Sequence, residues 1–335
     1  MVRPFQSAAF SRRPAAMTTA QAIVFEAPHE LSVRPLELKA FDAGDLEVEV
    51  DFSGISTGTE RLLWEGTMPP FPGLAYPLVP GYETVGRVVR RGDAVAAGAA
   101  AVGSHVFIPG SYSFQGVGNI FGGAGARLIV AHNRVVQVSA DLGPKAVLLA
   151  LAATGYHALA MGGQRQPMTA PDLIVGHGVM GRLLARIALA LGQPAPTVWE
   201  TQALRQDGAT GYAVVHPDQD PRKDYRAIID VSGDSSLLNG LIARLAPGGE
   251  VVLAGFYKQD LSFAFAPAFM REAQIRIAAQ WKPQDLQAVT ALVTSGALSL
   301  EGLITHTLPI SRAREAYETA FGDPRCLKMM IDWRG

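Results

Sequence analysis

The stretch DLIVGHGVMGRLLARIALALG, residues 172–192, decides how this chain is read. Asp172 to Val175 form a predicted strand, and Val179 to Leu191 a predicted helix. Between them Gly176, Gly178 and Gly181 make a G-x-G-x-x-G, with His177, Val179 and Met180 at the open positions. A chain with 35 glycines produces that spacing by chance, so the motif has meaning only in context. The context is complete. A strand precedes it, a helix follows it, and TVWE (197–200) puts Glu200 at the end of the next predicted strand. Glycines there let the backbone approach a pyrophosphate. The helix N-terminus adds unpaired N–H groups and the positive end of its dipole. Glu200 can accept both ribose hydroxyls of an adenosine while repelling a 2′-phosphate, so NAD is expected rather than NADP. Arg205 is the opposing signal, since it could fold back onto such a phosphate.

Outward from this loop the text alternates strand and helix. AVLLALAATGYHALAMGG (146–163) reads as helix, RAIIDVSG (226–233) as strand and SLLNGLIARLAPGG (236–249) as helix ending in glycine. EVVLAGFY and IRIAAQW read as strands. These strands are continuously apolar, as in a parallel sheet covered on both faces. From Ala20 to about Leu142 the rhythm is different. AIVFEA, LEVEVDFSG, TVGRVVRRG, HVFIP, ARLIVA and RVVQVS are short β-branched runs broken by Gly, Pro and Asp. They predict a compact, partly antiparallel β domain. After Pro283 come helices at QDLQAVTALVTSG and RAREAYETAF and a last strand, CLKMMIDW. The fold class is therefore α/β, with a β-rich domain beside a doubly wound parallel sheet.

The composition excludes several alternatives. Of 335 residues, 48% are apolar and 18% charged, which is not a disordered or coiled-coil chain. A net charge of −1 argues against a nucleic-acid partner held by phosphate neutralisation. The single cysteine, Cys326, excludes a disulfide framework and any multi-cysteine metal centre, and low thiol use fits the cytoplasm. Residues 1–16 carry Arg3, Arg12 and Arg13 but no apolar run of signal-peptide length. They read as an extension outside the fold. The uncharged run between Lys145 and Arg165 is interrupted by Thr154, Gly155, His157 and a glycine pair, so it predicts a buried helix and not a membrane span.

A β domain, a dinucleotide-binding domain and a return to the first at the C-terminus resemble the medium-chain dehydrogenase/reductase superfamily. The anchors are Gly58–Thr59–Glu60, Pro80–Gly81–Tyr82–Glu83–Thr84–Val85–Gly86, Gly123–Ala124–Gly125–Ala126, Ala153–Thr154–Gly155–Tyr156 and the glycine loop. The resemblance implies a GroES-like catalytic domain from 17–150 and 284–335, and a Rossmann domain from 151–283. It assigns Thr154 to packing against the nicotinamide and Thr59 to a proton-relay position. Zinc-containing members carry Cys-Gly-Thr-Asp at the first anchor and Gly-His-Glu at the second. Here the cysteine position is Thr57 (or Ser56), the histidine position is Tyr82, and the third ligand position is Ala150. Only Glu83 matches, and the closely spaced cysteines of the structural-zinc lobe are absent. The expectation is no zinc and no other metal.

Within the superfamily, SGISTGTERLLWEGTMPPFPGLAYPLVPGYETVGRVV (53–89) resembles the bacteriochlorophyllide dehydrogenase family. That resemblance implies NAD-dependent oxidation of a 3-(1-hydroxyethyl) group to 3-acetyl on a bacteriochlorophyllide-type pigment. A homo-oligomer is the superfamily's pattern, and peripheral association with a membrane or a pigment enzyme is compatible with such a substrate. Without a metal to acidify the alcohol, side chains must handle its proton. The candidates are Ser56, Thr57, Thr59, Tyr82, Glu83 and His157, with a relay through Thr57, Thr59 and Tyr82 preferred. Glu83 is either chemistry or framework, and His157 is first of all a structural histidine. A flat apolar macrocycle needs a wide, weakly charged cleft. No Asp, Glu, Lys or Arg lies between Asp93 and Arg127. His105, Tyr112, Phe114, Phe121, Trp64, Phe71, Tyr76, Tyr82, Phe256, Tyr257 and Trp281 are the candidate lining. Two other readings remain: a zinc-free quinone oxidoreductase or enoyl reductase, and a non-catalytic NAD-binding sensor.

Overall fold

A computed structural model describes residues 18–335 apart from Phe71 and Asn119. The proposed extension at 1–16 and the candidate aromatic Phe71 lie outside the described residues. Six parallel strands run in the order Ala213–Val215, Thr197–Trp199, Leu173–Val175, Tyr225–Asp230, Leu245–Leu253, Gln274–Ile277. The order reverses at Leu173–Val175. The crevice at the carboxyl ends of strands flanking such a reversal is where ligands bind in these sheets. The central strands are mainly apolar because both faces are covered. Leu173, Ile174, Ile228 and Ile229 are fully buried between the helices Leu149–Ala160 and Val179–Ala190 on one side and Leu238–Ile242 on the other.

The second sheet has seven strands. Its spine is Asp45–Ile55, paired antiparallel with Thr84–Arg91, Arg127–Ala131 and the C-terminal Met329–Asp332. The chain end thus returns to the first sheet, with Met329 opposite Ile55. This return lays Lys328 beneath the start of the loop Ser56–Gly58. A hairpin of Thr19–Ala27 and Glu30–Glu37 packs beside this sheet.

Local differences from the sequence reading have physical causes. The helix expected over 236–249 is confined to Leu238–Ile242, because Leu245 already begins the strand Leu245–Leu253 with Gly248 in a left-handed turn. Helix over 146–163 starts at Leu149, preceded by a 3-10 segment that Pro144 and Gly143 keep from becoming α-helical. It ends at Ala160. Among the described residues no helix is long and apolar enough to cross a membrane.

Candidate active site

A cleft of about 2230 Å³ separates the two sheets, and residues of both line it. One wall is the glycine loop. Gly176 has φ 102°, which a side chain would strain. A Cβ on Gly181 would fall onto the carbonyl of Gly176, so only glycine lets the helix Val179–Ala190 pack this close to its strand. A Cβ on Gly178, the N-cap, would meet nothing within 4 Å. Gly178 lines the cleft at the N-terminus of that helix. Val179, Met180 and Thr154 also line this wall. The Thr154 hydroxyl donates to the Ala150 carbonyl at 2.9 Å.

Glu200 sits at the end of its strand, mostly buried but lining the cleft. Its carboxylate accepts the His177 N–H at 3.1 Å and the Gln202 N–H at 2.8 Å. The His177 side chain fixes this corner. Its Nδ1 is 2.6 Å from the Arg205 carbonyl, which can only accept, so Nδ1 carries the proton. Nε2 therefore accepts from the Tyr212 hydroxyl at 2.8 Å. Burial lowers this histidine's pKa to about 4, in keeping with a neutral ring. Arg205 Nε donates to the Pro324 carbonyl across the cleft at 2.7 Å. At the opposite end the Lys258 ammonium pairs with Glu65. These features, a cradle a Cβ would fill and a carboxylate at its far end, fit a dinucleotide.

The facing wall carries three linked hydroxyls. Tyr82 Oη is 2.5 Å from Ser56 Oγ and 3.3 Å from Thr59 Oγ1. With one proton, it donates to one of them and accepts from the other. Thr57 lines the cleft beside them. Burial first, and the negative charge of Glu83 second, hold the Tyr82 pKa far above that of a free tyrosine. This hydroxyl stays protonated. Phe121 packs on the Tyr82 ring with centroids 5.0 Å apart, and it holds φ 66°, a left-handed conformation rare for an aromatic residue.

Behind the wall lies a buried charged cluster. Glu83 is fully buried and does not line the cleft. It forms an ion pair with Lys328, which is 1% exposed and also donates to the Ile55 carbonyl at 3.0 Å. Burial raises the Glu83 pKa and Lys328 opposes it. Gly54 lies under this carboxylate, and a Cβ there would fall on Glu83 Oε2. Glu60 accepts the Ser56 N–H at 3.1 Å and the Tyr317 hydroxyl at 2.9 Å. Burial, reinforced by the Glu83 charge, pushes its pKa up to about 8. Sequence reasoning gave no role to Lys328 or Tyr317. A lone lysine inside CLKMMIDW was the one available signal.

His157 is not part of the cleft. Its Nδ1 is 2.7 Å from Asp285, whose carboxylate also caps the helix Pro283–Thr294. The aromatic candidates divide. Tyr82, Tyr112, Phe121, Phe256 and Trp281 line the cleft. Trp64 and Phe114 belong to the core of the first sheet, where Trp64 meets Phe25 edge-on. Tyr76 is held by the Leu63 carbonyl and Tyr257 by Asp230 at 2.8 Å, and neither they nor His105 reach the cleft. β-domain aromatics are core by default, and the sequence does not distinguish the two groups.

The donor set at the metal positions does not fit a transition metal. Ala150 offers no donor, Thr57 and Ser56 are neutral hydroxyls, Tyr82 is held protonated, and Glu83 is engaged by Lys328. Among the described residues no three of His, Cys, Asp and Glu come together.

No family model matches the chain. It is 53% identical over 315 residues to the 2-desacetyl-2-hydroxyethyl bacteriochlorophyllide A dehydrogenase of Rhodobacter capsulatus, covering 94% of this chain and 98% of that one. The protein of the same name from Cereibacter sphaeroides is 51% identical, with 93% and 98% covered. Among solved structures, 2R,3R-butanediol dehydrogenase from Bacillus subtilis superposes with a TM-score of 0.80 at 18% identity, over 94% of this chain and all of the other. The fold is thus the GroES-like plus Rossmann arrangement of medium-chain dehydrogenases.

Proposed function

The chain belongs to the 2-desacetyl-2-hydroxyethyl bacteriochlorophyllide A dehydrogenase family, and from that premise we propose that it oxidises the hydroxyethyl group of a bacteriochlorophyllide to acetyl in bacteriochlorophyll biosynthesis, with NAD and without zinc. The observation that carries the reading is one cleft with a glycine-lined nucleotide cradle on one wall and three linked hydroxyls on the other. Bound NAD supplies the hydride acceptor. The chain's own residues do the rest. Glu200 holds the adenosine ribose and disfavours a 2′-phosphate, and Arg205 is already engaged with Pro324. The substrate hydroxyl meets Tyr82, Thr59 or Ser56. Tyr82 stays protonated, so the trio moves a proton without any member becoming an anion. Each hydroxyl accepts one proton and gives up another, and the last passes to solvent in the open cleft. Neither buried carboxylate hydrogen-bonds the trio side chains, so Glu83 and Lys328 position Tyr82 without taking its proton. Thr57 contributes polar wall.

The domain division at 151 and 284 belongs to the same proposal, as do a cytoplasmic location and a homo-oligomeric state. Exposed Phe265, Phe269, Met270 and Ile277 beside the edge strand Gln274–Ile277 support self-association. A zinc-free quinone or enoyl reductase would use NADPH, against which Glu200 weighs. A non-catalytic sensor has no need of the hydroxyl trio. The test is NADH formation with the hydroxyethyl pigment and purified protein. Acetyl product with NAD, undiminished by chelators, is expected. Preference for NADP, or activity that requires about one zinc per chain, would overturn the reading.

A further inference from the structure

The cationic side chains lining the cleft are Arg61, Arg134, Arg205 and Lys258. Arg61 binds Glu65 at 2.8 Å, Lys258 pairs with the same carboxylate, and Arg205 binds the Pro324 carbonyl. Arg134 differs. It closes the short 3-10 segment His132–Arg134, which His132 ties down through the Gly44 carbonyl at 3.0 Å. Its guanidinium lies over the Tyr112 ring, 4.7 Å from the centroid, and has no hydrogen-bond or ion-pair partner among the described residues. Tyr112 itself is 55% exposed, an unusual state for an aromatic side chain in a cleft.

The acidic residues of the cleft cannot supply that partner. Glu200 is bound to His177 and Gln202, Asp234 to Ser236, and Asp323 to Arg325. The segment carrying Tyr112 and Phe121 has no charged residue at all between Asp93 and Arg127. Arg134 is exposed, so solvent satisfies its guanidinium, and it stands over the Tyr112 ring at the cleft without a protein anion among the described residues.

That wall leads to the reaction end. Tyr82 packs on Phe121, and the Phe121 carbonyl accepts the Ser111 N–H at 2.6 Å, which fixes the next residue, Tyr112, beside it. Hydroxyls, aromatic wall and guanidinium thus follow in series. A bacteriochlorophyllide has the same series of groups: an oxidisable hydroxyethyl on one edge, a flat apolar macrocycle, and a free propionate on another edge. We propose that Arg134, stacked on Tyr112, binds the propionate carboxylate of the pigment and makes the enzyme select the free acid over its esters. The guanidinium fork matches a carboxylate in two parallel hydrogen bonds, and an ester offers only a neutral carbonyl. The assignment rests on the substrate reading above.

The experiment compares the hydroxyethyl pigment as free acid and as methyl ester, with wild-type protein, Arg134→Gln and Arg134→Lys. Melting and NAD affinity are measured alongside. Wild type is expected to favour the acid by about tenfold in KM, the size of one charge-assisted contact at a partly exposed site. Arg134→Gln should raise KM for the acid to that of the ester and leave the ester's KM nearly unmoved. Arg134→Lys should restore part of the preference. Equal use of acid and ester by wild type, or a preference that survives in Arg134→Gln, overturns the role of Arg134 while leaving the substrate reading standing. Turnover of neither pigment by wild type sinks the substrate reading and this inference with it.

Discussion

At one end of the cleft, Gly176, Gly178 and Gly181 build a site from backbone alone. At the other, Ser56, Thr59 and Tyr82 build one from side chains, held from behind by Glu60, Glu83, Lys328 and Tyr317. On the proposed function the glycine end depends on missing side chains, and its parts are neighbours in the chain. The hydroxyl end depends on particular side chains, and its parts come from segments as far apart as residues 56 and 328. The first is shaped by close backbone approach. The second rests on a buried ion pair.

The contrast breaks most visibly at Lys328. Lys328→Met leaves Glu83 buried without its cation, and removing one partner of such a pair costs about 3–5 kcal/mol. A large drop in melting temperature is expected, with most of it recovered in the double variant Glu83→Gln/Lys328→Met. Unchanged melting of the single variant would show that the reaction end does not depend on this balance. Gly181→Ala is the counterpart at the nucleotide end. Overpacking costs about 1–3 kcal/mol, and here the obstructing atom is a backbone carbonyl that cannot turn aside. Titration should show NAD binding lost or severely weakened, and normal binding would mean the loop is not the cradle.

Smaller changes sharpen the comparison. Tyr82→Phe or Thr59→Val should lower turnover by at least about tenfold, at or below the usual range for acid–base groups because the remaining hydroxyls share the work. NAD affinity should stay put, since both residues lie on the opposite wall. Glu200→Ala should weaken NAD by up to about tenfold and narrow the gap to NADP, as read from paired binding isotherms. The smallest effect concerns Glu60. Its folded pKa of about 8 lies above the ordinary carboxyl value, so the folded state holds a proton that the unfolded chain has lost. Its contribution to stability is full below the unfolded value and falls away as pH rises to about 8. Glu60→Gln should therefore gain on wild type in melting between pH 6 and pH 9. A constant difference would mean that Glu60 does not change charge in this interval.

The strand, glycine loop and helix were legible because their determinants are local. Strand, glycine spacing, helix and Glu200 fall within 29 residues of chain, counted from Asp172 to Glu200. Five strands of the six-stranded sheet were legible for a related reason, since strands covered on both faces are mainly apolar. The strand Ala213–Val215 and the helix Thr59–Glu65 were not, being short and lacking a period. The hydroxyl wall was half legible. Register with known anchors singled out Thr59 and Tyr82, which the structure brings together, but Tyr317 meets Glu60 across 257 positions and Lys328 meets Ile55 across 273. No local pattern encodes such contacts. The aromatic lining failed in the same way, because nothing in Trp64 or Phe114 says which face of the first sheet each will occupy.

Gly54, beneath the Glu83 carboxylate, bears on how this protein can change over time. Any larger residue at 54 collides with a side chain that Lys328 holds in place. Shortening Glu83 first would make room but leave Lys328 as an unpaired buried cation. Losing Lys328 first would strand Glu83. Each single step is expected to cost stability, and the cost of one replacement depends on the state of the other two. The three positions are thus energetically coupled, and a change at any one of them is best tolerated when the others change with it.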